Sequence, residues 1–443
     1  MLLRLLSLLC VLLWAQPASA DLAAKVGTFS ITTGAGPVVV SDVGFTPKAV
    51  IFWWSGRTDA ADAAGRATHN RGVGYTAGTA DNHLIASSSV DAQTGSTSRK
   101  GFRTDAAIGQ IGTDDTWTHA SAGYATLASF DSGAGFTLTI TDAFSTAFQV
   151  SYLALGGDEL EAADTCTFDG PTGTGSQSIT SFAFQPDFVL FISGRLSGTP
   201  ALAGVDSTIN FGMASGPSNE WSWNGGQNDG DATMQSIRHM LSTRSLTSAA
   251  ATVTTTLINS GEFTQFTATG FDVNWTTFGA SMDWGCLGLR TGGNVKVGTF
   301  LSQTDTSTTF GTGALGFSPV AMLVASHNTS EQVGLTATDS DYWTFGGATS
   351  ASARVAQAMR DEDASADSIV TTAIDYDAIY LNTDATGLVG VGDISSWGAD
   401  AVDLVMDDAD PAQAILGYVV IGEDTVVGGG TGHKNLLLMG VGD

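Results

Sequence analysis

One pattern occurs three times along the chain, and it limits the fold more than any other feature. Val26-Gly27-Thr28-Phe29, Thr165-Cys166-Thr167-Phe168 and Val297-Gly298-Thr299-Phe300 each open a segment. A polar Gly/Ser/Thr stretch follows, then Gly44-Phe45-Thr46-Pro47, Ala183-Phe184-Gln185-Pro186 or Gly316-Phe317-Ser318-Pro319. The apolar runs AVIFWWSG, FVLFISG and AMLVASH come next. Gly74, Gly212 and Gly334 stand in short hydrophobic strands further on. Each segment closes on another apolar strand: Tyr152 to Leu155, Cys286 to Leu289, Tyr418 to Ile421. The expected division is a leader at 1–20, units at 21–160, 161–293 and 294–424, and a tail at 425–443.

Strand periodicity dominates each unit. Phe136-Thr137-Leu138-Thr139-Ile140 alternates, and Trp221-Ser222-Trp223 and Trp343-Thr344-Phe345 do the same. The chain holds 55 glycines but only 17 lysines and arginines together, a composition for short strands and turns rather than long amphipathic helices. The expected fold is all-β, with three tandem β-sandwich units of jelly-roll type set in a row. One stretch, Ala353 to Arg360, reads as a short helix. Each Phe-x-Pro step reads as a strand entry, because proline cannot donate to a ladder and holds the residue before it extended.

The first twenty residues have the form of a secretory leader: Arg4, an apolar core from Leu5 to Trp14, and the small residues Ala18-Ser19-Ala20. The expected mature protein begins at Asp21 and lies outside the cell or in its envelope. No later apolar run is long enough to span a bilayer as a helix. A formal charge of −27 repels nucleic-acid phosphates and anionic membranes, so neither is an expected partner.

Cys10 leaves with the leader, which leaves Cys166 and Cys286. The repeat places Cys166 where the other units have Gly27 and Gly298, and Cys286 where they have Tyr152 and Tyr418. A large ring covers a glycine on an adjacent strand, so the two sites are expected to be cross-strand neighbours. Two cysteines there would lie close enough to bridge, and a Cys166–Cys286 disulfide is predicted.

Catalytic signatures are absent. The six histidines show no metal-ligand spacing, and there is no G-x-S-x-G elbow. Gly279-Ala280-Ser281-Met282 lacks the His and Asp motifs that a serine nucleophile needs, and Phe130-Asp131-Ser132-Gly133 has no second copy to share a proton with. No catalytic residue is assigned.

Two clusters carry binding chemistry. Trp221, Trp223 and Asn224, with Asp229 and Asp231 after them, combine indole rings with amide and acid groups, as sugar-binding surfaces do. Trp343 is read as the third unit's counterpart, and His83 to Ala86 as the first's. The competing reading is a strand facing the core. Asp407, Asp408 and Asp410, in the acidic third unit, supply hard oxygens of the kind Ca²⁺ takes, against the alternative of a solvated acidic face. No other cofactor is expected. In the tail, Gly428 to Gly432 reads as a linker, and Asn435 to Val441 as an apolar strand that pairs with the third unit's own edge, completes the sheet of another copy, or serves as an attachment signal.

The segment Ser178-Ile179-Thr180-Ser181-Phe182-Ala183-Phe184-Gln185-Pro186-Asp187-Phe188-Val189 resembles a repeat of tailed-phage tail-fibre and virion-surface proteins. Those carry a polar run, then G-F-x-P-D-x-V and an apolar strand. The step is also similar to the strand entry of H-type lectin domains. The resemblance implies non-enzymatic β modules that decorate or bind surfaces. The leader departs from the phage pattern. The expected function is therefore an extracellular binding or surface-structural protein recognising glycans or another surface component. A virion tail-fibre or decoration subunit is the alternative, and a secreted glycan hydrolase the third.

Overall fold

The computed structural model describes residues 21–58, 63–66, 68–90, 98–112, 122–203, 206–227, 236–249, 257–329, 336–338, 340–362, 370–384 and 387–424. Within them the chain is all-β, arranged in three antiparallel sheets of seven strands and three of four. Residues 1–20, where a leader is expected, the tail from 425 on, Gly334, Asp229 and Asp231 lie outside the described residues.

The first seven-stranded sheet runs, edge to edge, Leu22–Ile31, Phe148–Gly157, Pro47–Trp54, Thr68–Gly78, Asp81–Val90, Ser98–Arg103 and Ala201–Ala203. Its four-stranded partner runs Gly36–Val40, Gly135–Asp142, Gly123–Asp131 and Ile108–Gln110. The other sheets repeat these orders. The strands after the Phe-x-Pro steps are Pro47–Trp54, Phe188–Ser193 and Ser318–Ser326; Phe317 is buried before its proline, while Phe45 and Phe184 are half-buried.

Those central strands are apolar on both faces, and two different cores explain why. Ala49, Ile51 and Trp53 point into one cluster, while Val50, Phe52 and Trp54 point into another shared with the four-stranded sheet. Phe188, Leu190 and Ile192 divide from Val189 and Phe191 in the same way, as do Ala321, Leu323 and Ala325 from Met322 and Val324. Side chains alternate along a strand, so an uninterrupted apolar run feeds both faces. The outer clusters each join one large sheet to its small partner. The inner cluster is common to all three large sheets. Phe345 lies 5.5 Å from Trp53 and 5.1 Å edge-on from Phe211, joining all three thirds of the chain.

The units therefore do not stand in a row. They close into a ring by exchanging strands. Ala201–Ala203, from the middle of the chain, pairs with Ser98–Arg103 of the first large sheet. Thr336–Thr338 pairs with Ser236–Leu241 of the second, and Ala63–Arg66 with Val370–Asp375 of the third. Each arm covers an edge that would otherwise expose unpaired backbone groups.

Register corrects two more expectations. Ala353 to Arg360 is not helical; Arg354–Glu362 is a strand. Val355 and Met359 face the inner core while Ala356 and Ala358 face the outer side, a period of two that the alanines obscured. The third counterpart of Gly74 and Gly212 is Gly346, since these three sit opposite Phe52, Phe191 and Val324. A Cβ at each would collide with a carbonyl of the facing sheet, from Ala107, Ser245 and Ile379 respectively. Trp343 consequently matches Ile209, one strand earlier than Trp221, whose counterpart is Val355.

Candidate functional site

The disulfide is present. Cys166 and Cys286 lie directly opposite each other on paired strands, with Cα atoms 4.9 Å apart and 120 residues between them. Gly27 faces Tyr152 and Gly298 faces Tyr418 in the same register. A Cβ on either glycine would come within 2.6 Å of the tyrosine hydroxyl, so each ring lies over its glycine.

The proposed aromatic platform is core. Trp221 and Trp223 are fully buried and Trp343 is 1 % exposed. Trp221 Nε1 donates to the Tyr418 carbonyl at 3.0 Å, across to the third unit, and Trp223 meets the His327 ring edge-on at 4.2 Å. Asn224 is buried as well and donates to Thr247 Oγ1 at 3.0 Å. Their alternation marks the core-facing strand of the competing reading, and that face points into the ring.

The three aspartates do not converge. Asp407 and Asp408 are exposed. Asp410 is turned inward and accepts from Ser302 Oγ at 2.7 Å, Tyr380 Oη at 2.8 Å and Asn382 Nδ2 at 2.7 Å. Among the described residues no group of three His, Cys, Asp or Glu side chains is placed to hold a metal ion.

Polar groups instead interlock the ring. Arg71 Nη2 pairs with Asp341, both fully buried, tying the first unit to the third. His327 Nδ1 lies 3.6 Å from the other oxygen of Asp341. Burial, then Arg71 and Arg238, hold the His327 imidazole well below the usual histidine range. Arg238 Nη1 donates to the Asn328 carbonyl at 2.7 Å, joining the second unit to the third. Gln357 accepts from the Ser55 N–H and hydroxyl and donates to Ser151 Oγ at 2.8 Å. Between the first and second units, His83 Nε2 meets Thr167 Oγ1 at 2.8 Å.

Among the described residues, two grooves open at the surface of the middle unit. One, of about 360 Å³, lies along the loop from Asp169 to Gln177 beside Trp275, whose Nε1 donates to Gln177 Oε1 at 2.7 Å. The second, of about 460 Å³, contains Glu220, Arg244 and Glu262 beside the hydroxyls of Ser218, Ser242 and Thr264. Arg244 Nη1 pairs with Glu262 Oε1 at 2.8 Å, and Glu220 Oε2 accepts from the Phe263 N–H at 2.8 Å. Burial pushes the Glu220 carboxyl above the usual carboxylate range; Glu262 adds to this, while the Phe263 N–H, the Ser245 hydroxyl and Arg244 oppose it. Sequence reasoning passed over these residues. Glu220 directly precedes Trp221 in the strand Asn219–Gln227, and Arg244 and Glu262 join it only through folding.

No protein-family model matches the chain, and no curated protein does. Solved structures give only faint likeness. Mouse laminin alpha1 chain domains LG4-5 are 9 % identical over 62 % of this chain and 84 % of that one, with a TM-score of 0.09. The di-domain ARO/CYC StfQ of the steffimycin biosynthetic pathway is 10 % identical over 60 % and 84 %, TM-score 0.09. The outer membrane protein OmpT of Vibrio cholerae is 9 % identical over 90 % and 98 %, TM-score 0.10. None of these bears on function.

Proposed function

We propose that this chain is an exported, non-enzymatic binding and surface-structural protein whose ring presents polar grooves to a glycan or another hydroxyl-rich surface component. The observation that carries this reading is the pair of open grooves in the middle unit, lined by hydroxyl, amide and carboxylate groups on a scaffold locked at its centre. Such groups exchange hydrogen bonds with sugar hydroxyls, and a rigid support lowers the entropic cost of holding them in place. Export is supported by the leader-like first twenty residues and by a disulfide, which persists in oxidising compartments.

The second reading, a virion structural subunit, is favoured by the strand exchange itself. Three like sandwiches that each complete the next one's sheet form the kind of contact by which separate copies are held in a threefold particle. Binding of the purified protein to a printed array of oligosaccharides tests the first reading. Selective binding without release of reducing ends is expected. Absence of binding, together with recovery of the protein in purified particles, would move the assignment to the second.

A further inference from the structure

One position in the fold is occupied by three different chemistries. Asn82, Glu220 and Arg354 are equivalent, being paired with Thr76, Ala214 and Ala348 just after the same hairpin. Each reaches from the large sheet toward the small one. Asn82 Oδ1 accepts from the Leu127 N–H at 3.0 Å, the contact Glu220 makes with Phe263. Arg354 instead pairs with Asp393 at 2.9 Å. Asn82 shows that a neutral amide is enough to staple the two sheets. A carboxylate at the same place carries a desolvation cost the staple does not require. That cost is met only in the middle unit, where Glu220 is 5 % exposed beside an open groove with Glu262 and Arg244 at its rim.

We propose that the Glu220–Arg244–Glu262 groove is the ring's binding site for an uncharged glycan, a claim that rests on the binding function proposed above. The carboxylates accept from sugar hydroxyls, while Arg244 donates to ring or hydroxyl oxygens. Charge-assisted bonds of this kind are stronger than neutral ones and gain further where water is excluded. The groove's volume lies in the range of small-ligand sites. The formal charge of −27 disfavours acidic polysaccharides and leaves neutral sugars as the matching class.

The test uses the whole disulfide-bonded protein and a printed array of neutral oligosaccharides of the hexose, N-acetylhexosamine and pentose series. The strongest binder is then titrated calorimetrically. Glu220→Gln keeps an acceptor for the Phe263 N–H, as Asn82 does for Leu127, and so separates ligand contact from stapling. Arg244→Gln alters a partly exposed side chain and covers the case in which the first variant fails to fold. Both are expected to weaken binding at least tenfold, with the urea midpoint not lowered in Glu220→Gln, while Asn82→Asp in the first unit leaves affinity as it was. Wild-type affinity in both groove variants would overturn this site and leave the glycan-binding function standing. An array on which the wild type binds nothing would overturn the groove as a site for uncharged glycans, whereas loss of the binding function itself requires recovery of the protein in purified particles as well.

Discussion

The Gly/Tyr pairs of the outer units and the disulfide of the middle one solve the same packing problem, and replacing one with the other measures how equivalent they are. Cys166 and Cys286 close a loop of 120 residues. Loop-closure entropy for that length gives about 5 kcal/mol of stabilisation. Around the pair, Phe168, Phe191 and Phe271 form the same ring box that Phe29, Phe52 and Phe136 form around Tyr152. Cys166→Ser/Cys286→Ser removes the bridge and leaves the box partly empty. Cys166→Gly/Cys286→Tyr removes the bridge but installs the pair found in the other units. A buried tyrosine ring returns roughly 2 kcal/mol through the apolar area it covers. Equilibrium urea unfolding under non-reducing conditions compares the three proteins. With slopes of about 3–5 kcal/mol/M for a chain of this size, the serine variant should unfold roughly 1–1.7 M earlier than the wild type. The Gly/Tyr variant should fall between them. A serine variant as stable as the wild type would refute the loop-entropy argument. A Gly/Tyr variant weaker than the serine one would refute the equivalence of the three sites.

Other perturbations probe the ring and its sheets. Asp341→Asn leaves the buried Arg71 guanidinium without its counter-charge and should cost about 3–5 kcal/mol, read as a lowered urea midpoint. Gly346→Ala should cost about 3 kcal/mol, as should Gly74→Ala and Gly212→Ala, because the new methyl meets backbone rather than a movable side chain. Normal melting of the Gly346 variant would disprove the strand alignment. His83 is held at about 3 by burial against an unperturbed value near 6.5. The unfolded chain thus binds the extra proton between those pH values, and stability should fall as pH drops through that window, by up to about 1.4 kcal/mol per pH unit. His83→Gln should remove this share of the slope; an unchanged slope would mean His83 is already protonated in the fold. Leu202→Pro removes a donor from the arm strand paired with Gly101 and should raise amide exchange in Ser98–Arg103. Unchanged exchange would show that the arm does not protect that edge.

The strands, the proline entries and the disulfide were legible because each leaves a local mark. Alternation, a blocked donor and a Gly/Tyr-to-Cys/Cys exchange are all visible in one dimension. The ring was not read from the sequence, although a signal for it existed. AVIFWWSG, FVLFISG and AMLVASH do not alternate, and a strand of a two-layer sandwich with a wetted face should. Apolar residues at every position from Ala49 to Trp54 require a third layer, which the inner cluster supplies. The same omission left Trp221 and Trp223 open between a binding surface and the core, which the structure decides for the core. The arms are short, three or four residues each, and nothing in Ala201-Leu202-Ala203 distinguishes a strand of its own sheet from one lent to a neighbour. The groove escaped notice for a related reason: Glu220, Arg244 and Glu262 come from three separate strands and loops.

Strand exchange makes the starting point of the chain arbitrary. Each unit lends its arm in the same rotational sense, and the third receives from the first as the first receives from the second. At the remaining seam, the Leu22 N–H reaches the Glu423 carboxylate, beside Asp21. A short linker from Asp424 to Asp21 would therefore close the backbone into a loop, and a new opening between Leu160 and Glu161 would leave every strand its present neighbours. Such a permuted chain should reach the same ring, with a different arm emerging last.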